Sequence, residues 1–363
     1  MNHRAKALLI AQSLLLVSLA TPPAIAAPTP AANAQAGKIC TTKGVEALSL
    51  KGALLCNGKK WALIPIKSET IQSKAFRSVL NRWNSQTDSQ LSLAIYADPK
   101  AGAWTQQIEA GIRAGARFWG TSDAASRALP VVISDDHLYI ESILSQLGIP
   151  QSAEDKERNA KAQGGQAGWH GAWDDPKAYW DFLFRDENAR SNSGFWQVPA
   201  HEYTHFAQSK LSNRAWSNPG GLKWMDEGVP SYIGAVLGPM SKMPNDIMNA
   251  WKQDLKNTQV NLEYFSTEDD SVYSSSNWWN VYPIGAVATE GLVALVGIPA
   301  LIQYYVDLAN GSTLPDSFKR NFGITQMQMT NVLSRYVQAV KIGKSWNLKM
   351  LETEYRKAQS SNP

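Results

Sequence analysis

The chain contains the run Trp196-Gln197-Val198-Pro199-Ala200-His201-Glu202-Tyr203-Thr204-His205-Phe206-Ala207-Gln208, which holds the pattern His-Glu-x-x-His. On an α-helix a spacing of four turns the chain through about 400°, so both histidines leave nearly the same face. Two imidazoles so placed can bind a divalent cation. Zinc, which takes nitrogen ligands in a tetrahedral set, is the expected one. Glu202 follows His201 by about 100° of rotation. Its carboxylate therefore reaches the side of a bound metal where a water would sit, and there it can take a proton. Val198, Ala200, Tyr203, Phe206 and Ala207 make the segment largely apolar. The histidines thus project from a buried element, where an imidazole pair needs partners.

A catalytic zinc site needs a third protein ligand and an open fourth position. Residues 217–221 (Ser-Asn-Pro-Gly-Gly) read as a turn, and a short helix follows it. Glu227 on that helix is the best candidate for the third ligand. The stretch between His205 and Glu227 is long enough for one loop and a return onto the first helix. Asp226 is a rival, either as a ligand or as an acceptor holding a histidine N–H. Pro230 fits only the first turn of a helix, so this one is expected to begin near Asp226 or Glu227, or to kink there.

Taken together, His201-Glu202-x-x-His205 and Trp224-x-x-Glu227-Gly228-x-x-x-Tyr232 resemble the gluzincin metallopeptidases, the zincin group that includes thermolysin-like and aminopeptidase-like enzymes. The likeness covers roughly residues 195–235, with a weaker echo near residue 282. It implies that His201, His205 and Glu227 are zinc ligands and that Glu202 is the general base. Tyr282-x-x-Gly285 heads an apolar helix, and resembles the position from which aminopeptidase-type gluzincins aim a tyrosine at the oxyanion. Tyr282 is then a second catalytic residue, with Tyr273 or His170 as substitutes. The Gly-x-Met-Glu-Asn type stretch that holds a substrate's free amine in such aminopeptidases is missing, which points to an endopeptidase. By the same resemblance, the strand before the metal helix, read here as residues 129–134, lies at a sheet edge and pairs with extended substrate.

The elements that must carry these residues are legible along the chain. Residues 1–26 read as an export signal: a basic start at His3, Arg4 and Lys6, a leucine-rich apolar run over 7–20, and the small-x-small site Ala24-Ile25-Ala26. Ala34-Gln35-Ala36 is a later alternative cleavage site, and a retained membrane anchor is disfavoured because the run is short. Residues 27–37 form a mobile Pro/Ala linker. Residues 38–66 form a small β module bracketed by Cys40 and Cys56, the only cysteines, which pair as a disulfide in an exported chain. It resembles Cys-bracketed modules at the front of other secreted bacterial proteins, and is read as a stapled cap on the main domain or a spacer.

Residues 67–357 form the main domain. Helices are expected over 68–86, 104–119 and 136–148, and strands over 91–96 and 129–134. Pro130 suggests that the second strand is an edge or a strand beginning. Residues 151–168, polar and Gly-rich, read as a mobile gating loop hinged at Gly164-Gly165. His137 reads as a helix N-terminal residue. The apolar run 284–302 is long enough to raise a membrane span, but Glu290, Gly297 and Pro299 favour two packed helices. Tryptophans at 169, 173, 216, 278 and 279 fall in loops, where exposed ones can grip side chains or sugars. Loss of Arg4 and Lys6 with the signal takes 35 basic side chains to 33 against 31 acidic ones, a balance that argues against nucleic acid.

The reading is an α+β, zincin-like domain with a small N-terminal sheet part and a mainly helical C-terminal half. The expected function is a secreted, Zn2+-dependent peptidase acting on peptide or protein, outside the cytoplasm, without stable membrane insertion and with possible cell-surface association. The alternative is a zincin fold, weakly active or inactive, that binds a surface polymer or a partner protein.

Overall fold

The computed structural model describes residues 34–49, 51–88, 91–121, 128–161, 166–171, 173–184, 197–215, 222–237, 247–267, 271–272 and 275–361. The signal segment, the Gly164-Gly165 hinge, Tyr273 and Trp216 lie outside them. The architecture is α+β, with small sheets toward the N-terminus and a helical C-terminal half.

The first sheet is antiparallel: β1 (Glu46–Ser49), β2 (Gly52–Cys56) and β3 (Trp61–Leu63), in that order. Cys40 and Cys56 are joined, with their Cα atoms 5.9 Å apart. Alternation along the strands splits the side chains. Leu48 and Ala53 enter the main core, while Leu54, Cys56 and Trp61 pack with Ala34 and Cys40 on the other face. The Gly37 N–H donates to the Trp61 carbonyl at 2.8 Å. The last linker residues are therefore seated on the sheet, contrary to the mobile linker expected there. Serine at both Cys40 and Cys56 should cost about 3 kcal/mol, the chain entropy of a loop this short. Urea denaturation of the variant beside the parent measures it.

Helix α1 (Ile71–Asn84) starts at Thr70, whose side chain and that of Ser73 cap each other's backbone N–H. It buries Ile71, Ala75, Phe76, Val79 and Leu80. Next come β4 (Leu93–Ala97), α2 (Gly102–Trp119), β5 (Leu129–Ser134), α3 (His137–Gln146), α4 (Ala153–Lys161), β6 (Gln166–His170) and β7 (Tyr179–Leu183). The four strands form one sheet in the order β4-β5-β7-β6, with β6 antiparallel at the edge. Val131, Ile133, Trp180 and Phe182 face the main core, whereas Val132, Tyr179 and Leu183 face α3 through Ile140 and Leu144.

Two expectations change here. β5 is not an edge, since it pairs with β4 on one side and β7 on the other, but Pro130 is its second residue, so the alternative expectation of a strand beginning holds. Pro130 is tolerated because it sits opposite Ala94, one residue before the β7 pairing begins at Val131. The stretch 151–168 is not one loop either, since α4 and β6 occupy most of its described part.

The C-terminal half runs through α5 (Val198–Leu211), α6 (Lys223–Leu237), α7 (Ile247–Asp254), α8 (Val281–Ala309), α9 (Leu314–Phe322), α10 (Gln326–Lys341) and α11 (Leu348–Ser360). α8 is long and apolar enough to cross a membrane, and 72% of its most apolar stretch is buried inside the fold. It breaks at Gly297, where φ is 78°, as the Gly and Pro positions predict. Its buried Glu290 accepts from Lys252 Nζ at 3.0 Å and from the Tyr336 hydroxyl, so the charge in this apolar helix is paired.

Candidate metal centre

α5 and α6 bring three donors together. α5 is buried on almost every side, with Val198, Ala200, Tyr203, Phe206 and Ala207 in the main core. Pro199 lies in its first turn, where a missing N–H costs nothing. His201 and His205 leave one face, as their spacing requires, and their Nε2 atoms are 3.2 Å apart.

α6 supplies Glu227. It begins at Lys223, earlier than Pro230 suggested, because Trp224 and Met225 are buried and the Leu222 carbonyl accepts from Met225 and Asp226. Pro230 is carried inside the helix. Glu227 Oε2 lies 3.4 Å from His201 Nε2 and 3.5 Å from His205 Nε2. Asp226, the rival ligand, falls outside this group of three.

The separations test whether an ion fits. Zinc bonds of about 2.0–2.1 Å at tetrahedral angles hold neighbouring donors about 3.3–3.4 Å apart. The three donors match that triangle, and their chemistry, two imidazoles and a carboxylate, suits it. The group could hold a metal ion. The same proximity shifts their protonation. Burial works against charge on Glu227, but His205 and His201 overcome it and hold the carboxyl far below its usual range. Burial likewise opposes charge on His205, and Glu227 outweighs it and raises the imidazole well above its usual value.

Two helix crossings fix this geometry. At Gly234 of α6 a Cβ would lie 2.7 Å from the Gln197 carbonyl oxygen and 3.3 Å from His201 Cβ. At Gly228 a Cβ would lie 2.4 Å from the carbonyl carbon of Gly285 on α8. Backbone meets backbone there, so α8 delivers Tyr282 one turn from the same crossing that places Glu227. The Tyr282 ring centroid is 6.0 Å from that of His201. Burial, then the charges of Glu227 and Glu202, raise its hydroxyl well above the usual range, so it stays protonated. That proton finds no acceptor among the described residues. Trp251 and Trp279 stack on the ring at 6.4 and 6.0 Å, and Trp278 meets it edge-on.

Glu202 is buried, and its Oε2 accepts from the Trp169 backbone N–H at 3.1 Å. Burial raises its carboxyl above the usual value against the pull of both histidines. No sequence signal marks the Trp169 contact, because residue 169 reads as loop. It lies in β6, its side chain against Trp180 and Phe206. His170, next along the strand, points to the opposite face, where its Nε2 is 2.9 Å from Asp181 Oδ1 and its ring stacks on Tyr179. Its ring therefore lies away from the oxyanion position and does not substitute for Tyr282. His137 is the first residue of α3, as expected.

The chain matches no protein-family model, no curated protein and no solved structure.

Proposed function

We propose that this chain is an exported zinc endopeptidase of the gluzincin type, with a zincin-like domain built around α5 and α6. The carrying observation is the convergence of His201 Nε2, His205 Nε2 and Glu227 Oε2 on one zinc-sized point, with the Glu202 carboxylate on the neighbouring position of α5. Zinc held there would supply a Lewis acid for the peptide carbonyl and a bound water acidified toward neutrality.

The chain's own groups complete the chemistry. Glu202, made more basic by burial, takes the proton of the attacking water and passes it to the leaving amine. Tyr282 offers its unspent O–H to the carbonyl oxygen as negative charge grows there. The substrate lies along β6. This strand is bonded to β7 on one side only among the described strands. The Trp169 N–H turns away from β7 toward Glu202. An extended peptide added at that edge would pass beside the base. The pairing role expected of 129–134 thus moves to β6. Residues 1–26 and the single disulfide support export, and the near-neutral charge balance supports a peptide over a nucleic acid.

The test is metal removal. The purified mature chain should carry about one zinc and cleave an unstructured protein, and a chelator should abolish cleavage that added zinc restores. His201→Ala should retain little zinc. A parent chain that takes up no zinc would overturn the proposal.

A further inference from the structure

Among the described residues, the hydrogen-bonding groups against the Nδ1 atoms of the two histidines are a hydroxyl and an amide, both uncharged. His201 Nδ1 faces the Ser231 hydroxyl at 3.4 Å. His205 Nδ1 faces Gln208 Oε1 at 3.1 Å. The second contact is built into the fold. Gln208 lies one helical turn beyond His205, is 1% exposed, and uses its amide Nε2 to donate to the Tyr305 hydroxyl at 3.0 Å. Tyr305 is fully buried on the far arm of α8. A glutamine so placed has its carbonyl committed to the imidazole and its amide nitrogen committed to the tyrosine.

An amide carbonyl oxygen can only accept, so the imidazole nitrogen opposite it carries the hydrogen. A neutral imidazole protonated at Nδ1 has its lone pair on Nε2. That is the atom which converges with His201 and Glu227. We propose that Gln208, seated by Tyr305, is the positioning residue that fixes the tautomer and ring angle of His205 for metal binding, and that its neutrality sets the affinity below what a carboxylate in the same place would give. This rests on the metal reading above. A carboxylate behind a histidine ligand makes the imidazole more basic, and loss of such a partner typically costs 10- to 100-fold in metal affinity. A neutral amide supplies the orientation without the added basicity.

The test is zinc affinity of the full mature chain, measured by competition with a chromogenic chelator, with no substrate present. Gln208→Leu should weaken zinc binding about 10- to 100-fold. Gln208→Glu keeps an acceptor for His205 and can accept from the Tyr305 hydroxyl, and it should bind zinc at least as tightly as the parent. Tyr305→Phe should weaken binding less than Gln208→Leu, and the double variant should be no worse than Gln208→Leu alone. A residue that only fills space would lower thermal stability in all three variants and leave the affinities equal, and that result would overturn the inference. If Gln208→Leu does not fold by circular dichroism, Gln208→Glu and Tyr305→Phe decide between the same outcomes. A parent that binds zinc while every variant matches it sinks the role of Gln208 and leaves the metal centre standing. A parent that binds none sinks both.

Discussion

Glutamine in place of Glu202 should leave the zinc content unchanged and lower peptide hydrolysis by about 10²- to 10⁴-fold, the usual worth of a positioned general base. The amide has the shape of the carboxylate, so the buried site stays filled and the Trp169 N–H keeps an acceptor. What is lost is the ability to take a proton. Glu202 is not among the three converging donors, so its substitution should not open the metal centre. The check pairs metal analysis with turnover of an unstructured protein by the same preparation. Turnover at the parent's rate in Glu202→Gln would remove Glu202 from the mechanism. Loss of zinc along with turnover would recast it as part of the ligand set.

The second large effect falls on a residue with no chemistry of its own. In Gly228→Ala the added methyl would lie 2.4 Å from the Gly285 carbonyl carbon and 2.5 Å from its Cα and oxygen. All three are backbone atoms, so no rotamer change relieves the clash and two long helices must separate. Overpacking of this kind costs about 1–3 kcal/mol, occasionally more. The displaced helix carries Glu227 at the adjacent position, so zinc affinity should fall with the melting temperature. Gly291→Ala is the control. Its Cβ meets the Leu333 methyl at 2.9 Å and the Tyr336 ring at 3.0 Å, side-chain atoms that can give way. Thermal melts and chelator competition on both variants should show a large joint loss for Gly228 and a small one for Gly291. Parent-like values for Gly228→Ala would mean that the α6–α8 crossing does not hold the centre together.

The helix that carries His201 and His205 is legible in the sequence because its information is local. A spacing of four and an apolar surround fix which side chains share a face, whatever the rest of the chain does. What sequence could not reveal depends on distant partners. Gln166, Ala167 and Gly168 carry no strand preference, yet they pair with Leu183, Phe182 and Asp181, because β7 offers a ladder and Trp169 has a core to enter. Gln208 looks like any polar residue on a helix until Tyr305 arrives from almost a hundred positions away. Pro230 misled in the other direction. The burial of Trp224 and Met225 starts α6 early enough to leave the proline in mid-helix.

The break at Gly297 has a wider consequence. Tyr282 and Tyr305 belong to one helix, and a straight helix would hold them about 35 Å apart at 1.5 Å per residue. Yet Tyr282 lies beside His201, while Tyr305 grips Gln208 only two turns further along α5. The bend folds α8 into a clasp, and the Ile298 N–H that it releases is caught by Ser78 of α1 at 2.8 Å. One arm of the clasp tends the first histidine and the other arm the second. On the proposed metal reading, a change that loosens the hinge disturbs the surroundings of both histidines at once, and a zinc titration of Gly297→Ala should show weaker binding than the parent.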